Sequence, residues 1–107
     1  MLADLHGGPH CGIDGCLYKP THYLLQKGYI VVSTAFSGSD GYGQKFMEAC
    51  VSEVGVKDVK ECYEAIEYCI KNGLGHPDKI GLTGGSYGGY LGAALIATYP
   101  DQFKCNV

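Results

Sequence analysis

The sequence predicts an α/β fold: a mostly parallel sheet with helices on both faces. Three observations carry that expectation. Short apolar runs alternate with helical patterns along the chain, in the order strand, helix, strand, helix, strand, helix, strand, which argues right-handed crossovers between parallel strands. The run YIVVSTAF at residues 29–36 is apolar and β-branched without alternation, as in a strand buried on both faces. A Gly-x-Ser-x-Gly sequence stands between an apolar strand and an apolar helix. Composition agrees with a globular chain of one domain at most: 107 residues, 46% hydrophobic and 18% charged. The formal net charge of −3 gives no footprint for nucleic acid or an anionic membrane, both of which need clustered Lys and Arg.

Each element has a local reason. Residues 1–5 read as the end of a short strand running into a His6-Gly7-Gly8-Pro9 turn, and residues 10–20 are irregular. Residues 21–27 make two helical turns ended by Gly28. After the strand at 29–36 a glycine loop runs to Gly43, followed by a short helix over 45–51. From 56 to 72 the apolar set Val59, Cys62, Tyr63, Ile66, Cys69 and Ile70 forms one helical stripe, with Lys57, Lys60, Glu61, Glu64, Glu67 and Lys71 on the other side. Glu67 and Lys71 stand at i, i+4 in the favourable order, and Asn72-Gly73 suits a left-handed cap. Residues 79–83 form the next strand. The helix over 87–99 stops before Pro100 and is apolar all round, hence expected to be buried. Residues 103–107 begin a fourth strand.

Other classes are set aside on spacing. The uncharged stretch 80–100 holds only about ten apolar residues beyond its glycine turn, too few for a membrane span. No secretory signal opens the chain, since Asp4, His6 and Gly-Gly-Pro interrupt the apolar start. The 6 cysteines lack the paired spacings of zinc sites: Cys11 and Cys16 are five apart, Cys62 and Cys69 share a helix face, and Cys50 and Cys105 stand alone. They read as reduced thiols of a cytoplasmic protein. No metal and no cofactor is expected.

The 17 glycines fall in clusters, and two clusters carry chemistry. Gly84-Gly85-Ser86-Tyr87-Gly88 fits the nucleophile elbow, where a strand turns sharply into a helix and exposes a serine. Side chains two positions from that serine would collide in the turn, and Gly84 and Gly88 remove them. Ser86 Oγ then faces the helix N-terminus, where free N–H groups favour negative charge, and the Tyr87 N–H is aimed at an oxyanion. A phosphate loop would need a lysine after its glycines, and a dinucleotide fingerprint would need a different spacing and a later acid. The second cluster, His6-Gly7-Gly8-Pro9-His10, sits where such hydrolases place the other oxyanion donor, with Pro9 expected to hold Gly8 extended.

These motifs, taken with Phe36-Ser37-Gly38-Ser39-Asp40-Gly41-Tyr42-Gly43 and Gly55-Val56-Lys57-Asp58-Val59, resemble the catalytic domain of the prolyl oligopeptidase family of serine peptidases. Within it, His-Gly-Gly-Pro-His and Gly-Gly-Ser-Tyr-Gly-Gly-Tyr are most similar to the acylaminoacyl-peptidase and dipeptidyl-peptidase-like branch. The resemblance implies an α/β-hydrolase fold, Ser86 as nucleophile, the Gly8 and Tyr87 N–H groups as oxyanion hole, His6 as a brace of the oxyanion loop, and short peptides as substrates. Residues 1–107 then read as the N-terminal part of a peptidase catalytic domain, incomplete and without the propeller that family members usually carry. The family often has an arginine where this chain has Ser37, which removes an ion pair from that loop. The triad order on this fold is Ser, then Asp, then His. Asp101 follows Ser86 too early to be the triad acid, and no histidine follows it. A second role for His6, as general base, stays open beside the brace; His22 and His76 read as surface residues. A carboxylesterase or lipase on the same fold is the alternative, against which Pro9 stands where lipases often have a third glycine. An inactive fragment that only carries the family signature is the non-enzyme reading.

Overall fold

The computed structural model describes residues 1–14 and 18–107. Among them, strands and helices alternate as β1 (Leu2–Asp4), α1 (Lys19–Gln26), β2 (Val31–Ser33), α2 (Gln44–Glu48), α3 (Lys57–Lys71), β3 (Gly81–Thr83), α4 (Tyr87–Thr98) and β4 (Cys105–Asn106). The strands form one sheet in the order β2-β1-β3-β4, and every pair is parallel. The register sets Asp4 beside Ser33 on one side and beside Thr83 on the other, so the carboxyl ends of β1, β2 and β3 are level. The chain leaves β1 toward β2 and leaves β3 toward β4. Between β1 and β3 the winding therefore reverses, and the crevice beyond their carboxyl ends is where open α/β sheets bind ligands.

The core is one cluster of Ala3, Leu5, Phe36, Val59, Cys62, Ile66, Ile80, Leu82, Leu91 and Leu95. Each fully buried aliphatic side chain in it contributes about 1.5–3 kcal/mol. α3 supplies Val59, Cys62 and Ile66 from the stripe read in the sequence, and Tyr63 stacks on Tyr99 at 3.7 Å between ring centres. The Glu67–Lys71 pair forms, at 3.2 Å. Gly73 takes φ +73° just past the end of α3. No helix of the described residues is long and apolar enough to cross a membrane. Cys50 and Cys62 are buried free thiols, and Cys11 and Cys105 are exposed ones; Cys16 lies outside the described residues.

Several sequence expectations are corrected. The strand expected over 29–36 pairs only at Val31–Ser33, and it is half-buried rather than buried on both faces, with Tyr29 and Ile30 exposed. It lies at the end of the described sheet, with β1 as its one neighbour, so little covers it. Phe36 has left the ladder and is fully buried in the core. α2 ends at Glu48 rather than 51, because the Val51 and Glu53 N–H groups bond back three residues, to Glu48 O and Cys50 O, and turn the chain. α4 buries only the stripe Gly88, Leu91, Gly92 and Leu95. Its opposite face, with Ala93 and Ala97, is open because β3 and α3 pack it from one side. Glu61, assigned to the solvent side of α3, reaches the loop after β2: it accepts from Ser37 N at 2.5 Å and from Ser37 Oγ at 2.8 Å. A carboxylate bonded to the serine thus braces the loop where the resemblance expects an arginine.

Candidate active site

The elbow is built where β3 meets α4. Ser86 has φ +55° and ψ −120°, and it is the one non-glycine with positive φ among the described residues. Such a conformation costs on the order of 1–3 kcal/mol and persists only where surrounding packing over-determines it. The packing is visible at the flanking glycines. A Cβ on Gly84 would lie 2.6 Å from Leu5 O and 2.8 Å from the Gly88 carbonyl carbon, and one on Gly88 would overlap Leu5 O. The obstacle is therefore chiefly the Leu5 carbonyl just past β1. Leu5 N donates to Thr83 O at 2.9 Å, which extends the β1–β3 ladder up to the elbow and fixes that carbonyl in place.

The His6–Pro9 turn lies directly beside Ser86. A Cβ on Gly7 would stand 3.5 Å from Ser86 Cβ and 4.0 Å from Ser86 Oγ. Gly8 is not extended as expected: it has φ +125°, and the Gly8–Pro9 peptide is cis. The turn curls so that Cys11 N bonds back to Pro9 O at 2.8 Å. That brings His10 N within 2.6 Å of where a Gly8 Cβ would be, so the position needs glycine on two counts. Neither the Gly8 N–H nor the Tyr87 N–H has a hydrogen-bond acceptor among the described residues.

His6 stacks on Phe36, 4.2 Å between ring centres and 10° from parallel. Its Nδ1 lies 2.8 Å from Gly7 O and its Nε2 lies 2.7 Å from Ser39 Oγ. Both ring nitrogens are thus taken up by the loop rather than directed at Ser86. His10 Nδ1 donates to Gly38 O at 2.9 Å. His22 and His76 are exposed, on α1 and beside Asp78. Asp101 is exposed after Pro100.

The Tyr87 side chain turns inward from the elbow and donates its hydroxyl to Asp58 Oδ2. Asp58 is 1% exposed in the first turn of α3, where the helix dipole favours a carboxylate. Its Oδ1 accepts from Val59 N at 2.9 Å. Burial, and then the Asp58 hydrogen bond, push the Tyr87 phenol well above its ordinary range. Burial, with Asp58 and Glu61 nearby, pushes the Cys62 thiol up to about 12. Asp58 and Ser39 lie inside two of the sequence motifs, and the motifs alone assign neither a role. Asp58 had a legible signal: with Cys62 and Ile66 it repeats every four residues, which places it on the buried stripe. Nothing in the sequence pattern marks Ser39.

At the carboxyl edge of the sheet a groove of about 530 Å³ runs between α1 and His6-Gly7. Asp4, Leu5, Ile13, Tyr18 and Leu25 line it, and it touches Gly7 and Gly85 beside Ser86.

A parallel sheet with a strained serine at a strand–helix turn, at the reversal of the winding, defines an α/β-hydrolase fold. Solved structures agree. The chain superimposes with a TM-score of 0.92 and 30% identity on a puromycin-hydrolyzing peptidase of Mycobacterium tuberculosis, over 98% of this chain and 16% of that one. On the Pyrococcus horikoshii acylaminoacyl peptidase the TM-score is 0.89 at 27% identity, over 98% and 17%. Residues 18–107 match the sequence profile of the prolyl oligopeptidase family, and the chain belongs to that family. It is 38% identical to the acylamino-acid-releasing enzyme of Arabidopsis thaliana over 104 residues, 96% of this chain and 14% of that protein. It is 33% identical to dipeptidyl aminopeptidase BIII of Pseudoxanthomonas mexicana over 103 residues, 96% and 15%. The chain thus spans only a small part of the length of the relatives it matches.

Proposed function

We propose that this chain supplies the nucleophile and the oxyanion hole of a serine peptidase acting on short peptides. The observation that carries the reading is the strained Ser86 beside Gly7, with the next N–H on from Gly7, that of Gly8, and the N–H of Tyr87 both without an acceptor among the described residues. Ser86 Oγ attacks the scissile carbonyl, and the negative charge that develops on the carbonyl oxygen falls to those two N–H groups. Each oriented donor is worth about 2.7–4 kcal/mol in the transition state. Collapse of the intermediate expels the amine and leaves an acyl-Ser86 ester, which water hydrolyses. Gly7 O and Ser39 Oγ engage both His6 nitrogens, which leaves that ring no free nitrogen to take the Ser86 proton; on this fold the base is a histidine that follows the nucleophile and its acid in chain order. The relatives include enzymes named for releasing acylated amino acids and for removing dipeptides, which supports a short or N-blocked peptide as substrate.

A fluorophosphonate probe tests the reading on the complete protein. Wild type becomes labelled and Ser86→Ala does not; labelling that persists in Ser86→Ala overturns it. Residues 1–107 expressed alone are expected to give no turnover of aminoacyl or acetyl-alanyl nitroanilides, because a serine without its base is a poor nucleophile. Loss of a triad member leaves only about 10³–10⁴-fold acceleration over water.

A further inference from the structure

We infer that Ser39 is a positioning residue for the oxyanion hole, acting through His6 on the Gly7–Gly8 peptide; the inference rests on the reading of Gly8 N–H as an oxyanion donor. Ser39 is fully buried and is held in the loop after β2 by its N–H bond to Phe36 O at 2.9 Å. Its Oγ meets His6 Nε2 at 2.7 Å, while His6 Nδ1 meets Gly7 O at 2.8 Å. A backbone carbonyl only accepts, so Nδ1 carries the ring proton. In the neutral ring Nε2 is then a lone pair, and the Ser39 hydroxyl donates to it. The Ser39 donor therefore selects the tautomer that can hold Gly7 O. With the other tautomer, an Nδ1 lone pair would face the lone pairs of that carbonyl and push it away.

The Gly7 carbonyl and the Gly8 N–H are the two ends of one planar peptide unit. Pinning the oxygen fixes the direction of the N–H at the other end. The pin matters because the unit lies between two glycines, with Gly8 at φ +125°, where no side chain restricts rotation of the plane. Phe36, stacked on the imidazole, keeps the ring in the plane that joins Ser39 to Gly7. A hydroxyl 33 residues from His6 thus aims the backbone donor that follows Gly7, the residue packed beside Ser86.

The test compares Ser39→Ala, His6→Ala and the double variant in the complete protein, with active sites counted by fluorophosphonate labelling. Ser39→Ala is expected to lower kcat per active site about ten- to a hundredfold, the loss of part of one misaligned donor. KM should stay within about twofold, and affinity for a peptide boronate, which mimics the tetrahedral state, should fall by the same factor as kcat. The double variant should be no slower than His6→Ala, because Ser39 acts only through the ring. Ser39→Cys, near-isosteric with a weak S–H donor, should fall between wild type and Ser39→Ala, and serves if the alanine variant does not fold. Unchanged kcat per labelled site with a lower melting temperature, or losses that multiply in the double variant, would overturn the inference. Failure of wild type to label at Ser86 would instead overturn the functional reading beneath it.

Discussion

Replacing Tyr87 by Phe removes one hydroxyl, and the structure sets what that costs. Asp58 is 1% exposed, and among the described residues no cation lies within ion-pair distance of it. Its two oxygens are served by Val59 N–H and by the Tyr87 hydroxyl. Without the hydroxyl, Oδ2 of a buried carboxylate loses its donor. A hydrogen bond to a charged group contributes about 1.5–3 kcal/mol, and stranding the acceptor lies toward the upper end of that range. The bond ties the first turn of α4 to the first turn of α3, so the loss should appear as local opening of α4. Hydrogen exchange of α4 amides in the complete protein reads this opening directly. A cost of about 2–3 kcal/mol corresponds to roughly 30- to 150-fold faster exchange. In an Asp58→Asn background the same Tyr87→Phe change should cost about 1 kcal/mol, the worth of a neutral bond. Exchange of α4 altered less than twofold by Tyr87→Phe, or by the same factor in both backgrounds, would refute the argument.

Two further outcomes follow from the same geometry. Gly88→Val should abolish turnover of the complete protein and lower its melting temperature, because the new side chain overlaps the Leu5 carbonyl just past β1; wild-type turnover by a purified Gly88→Val protein would show the elbow to be built otherwise. Cys62, whose thiol is raised from its ordinary 9.0 to about 12 in the fold, contributes stability that is fully present below about pH 9 and is lost as pH rises through 12. Over that window the contribution falls by up to about 1.4 kcal/mol per pH unit. Urea unfolding followed between pH 9 and 11.5 should show a shallower loss for Cys62→Ala than for wild type, and equal slopes would contradict the assignment.

The fold was legible where periodicity and punctuation agree. The stripe Val59, Cys62 and Ile66 gives α3, and Asn72-Gly73 ends it. Gly-x-Ser-x-Gly between a strand and a helix locates the elbow, because only glycines fit against the Leu5 carbonyl. Strand length was not legible. Residues 29–36 are β-branched throughout, yet pairing extends only as far as the three-residue β1 beside them. The conformation of Gly8 was also hidden, because Pro9 biases its predecessor toward extended backbone while the return bond from Cys11 N to Pro9 O dictates the actual turn. Polar side chains that act across the fold were the hardest to read. Glu61 looks like any charged residue on the outer face of α3, and only the approach of the Ser37 loop reveals its partner. Ser39 sits in a glycine loop with no period to place it.

During turnover Ser86 is expected to carry the acyl group. Acid quenching of the complete protein while it hydrolyses an N-acetyl peptide ester, followed by mass spectrometry of the tryptic peptide covering residues 80–104, tests it most directly. This peptide should gain the mass of the acyl group at Ser86, and Ser86→Ala should neither gain it nor turn over substrate. Steady hydrolysis with Ser86 unmodified in every quenched sample, or the acyl group found on Cys11, would contradict it.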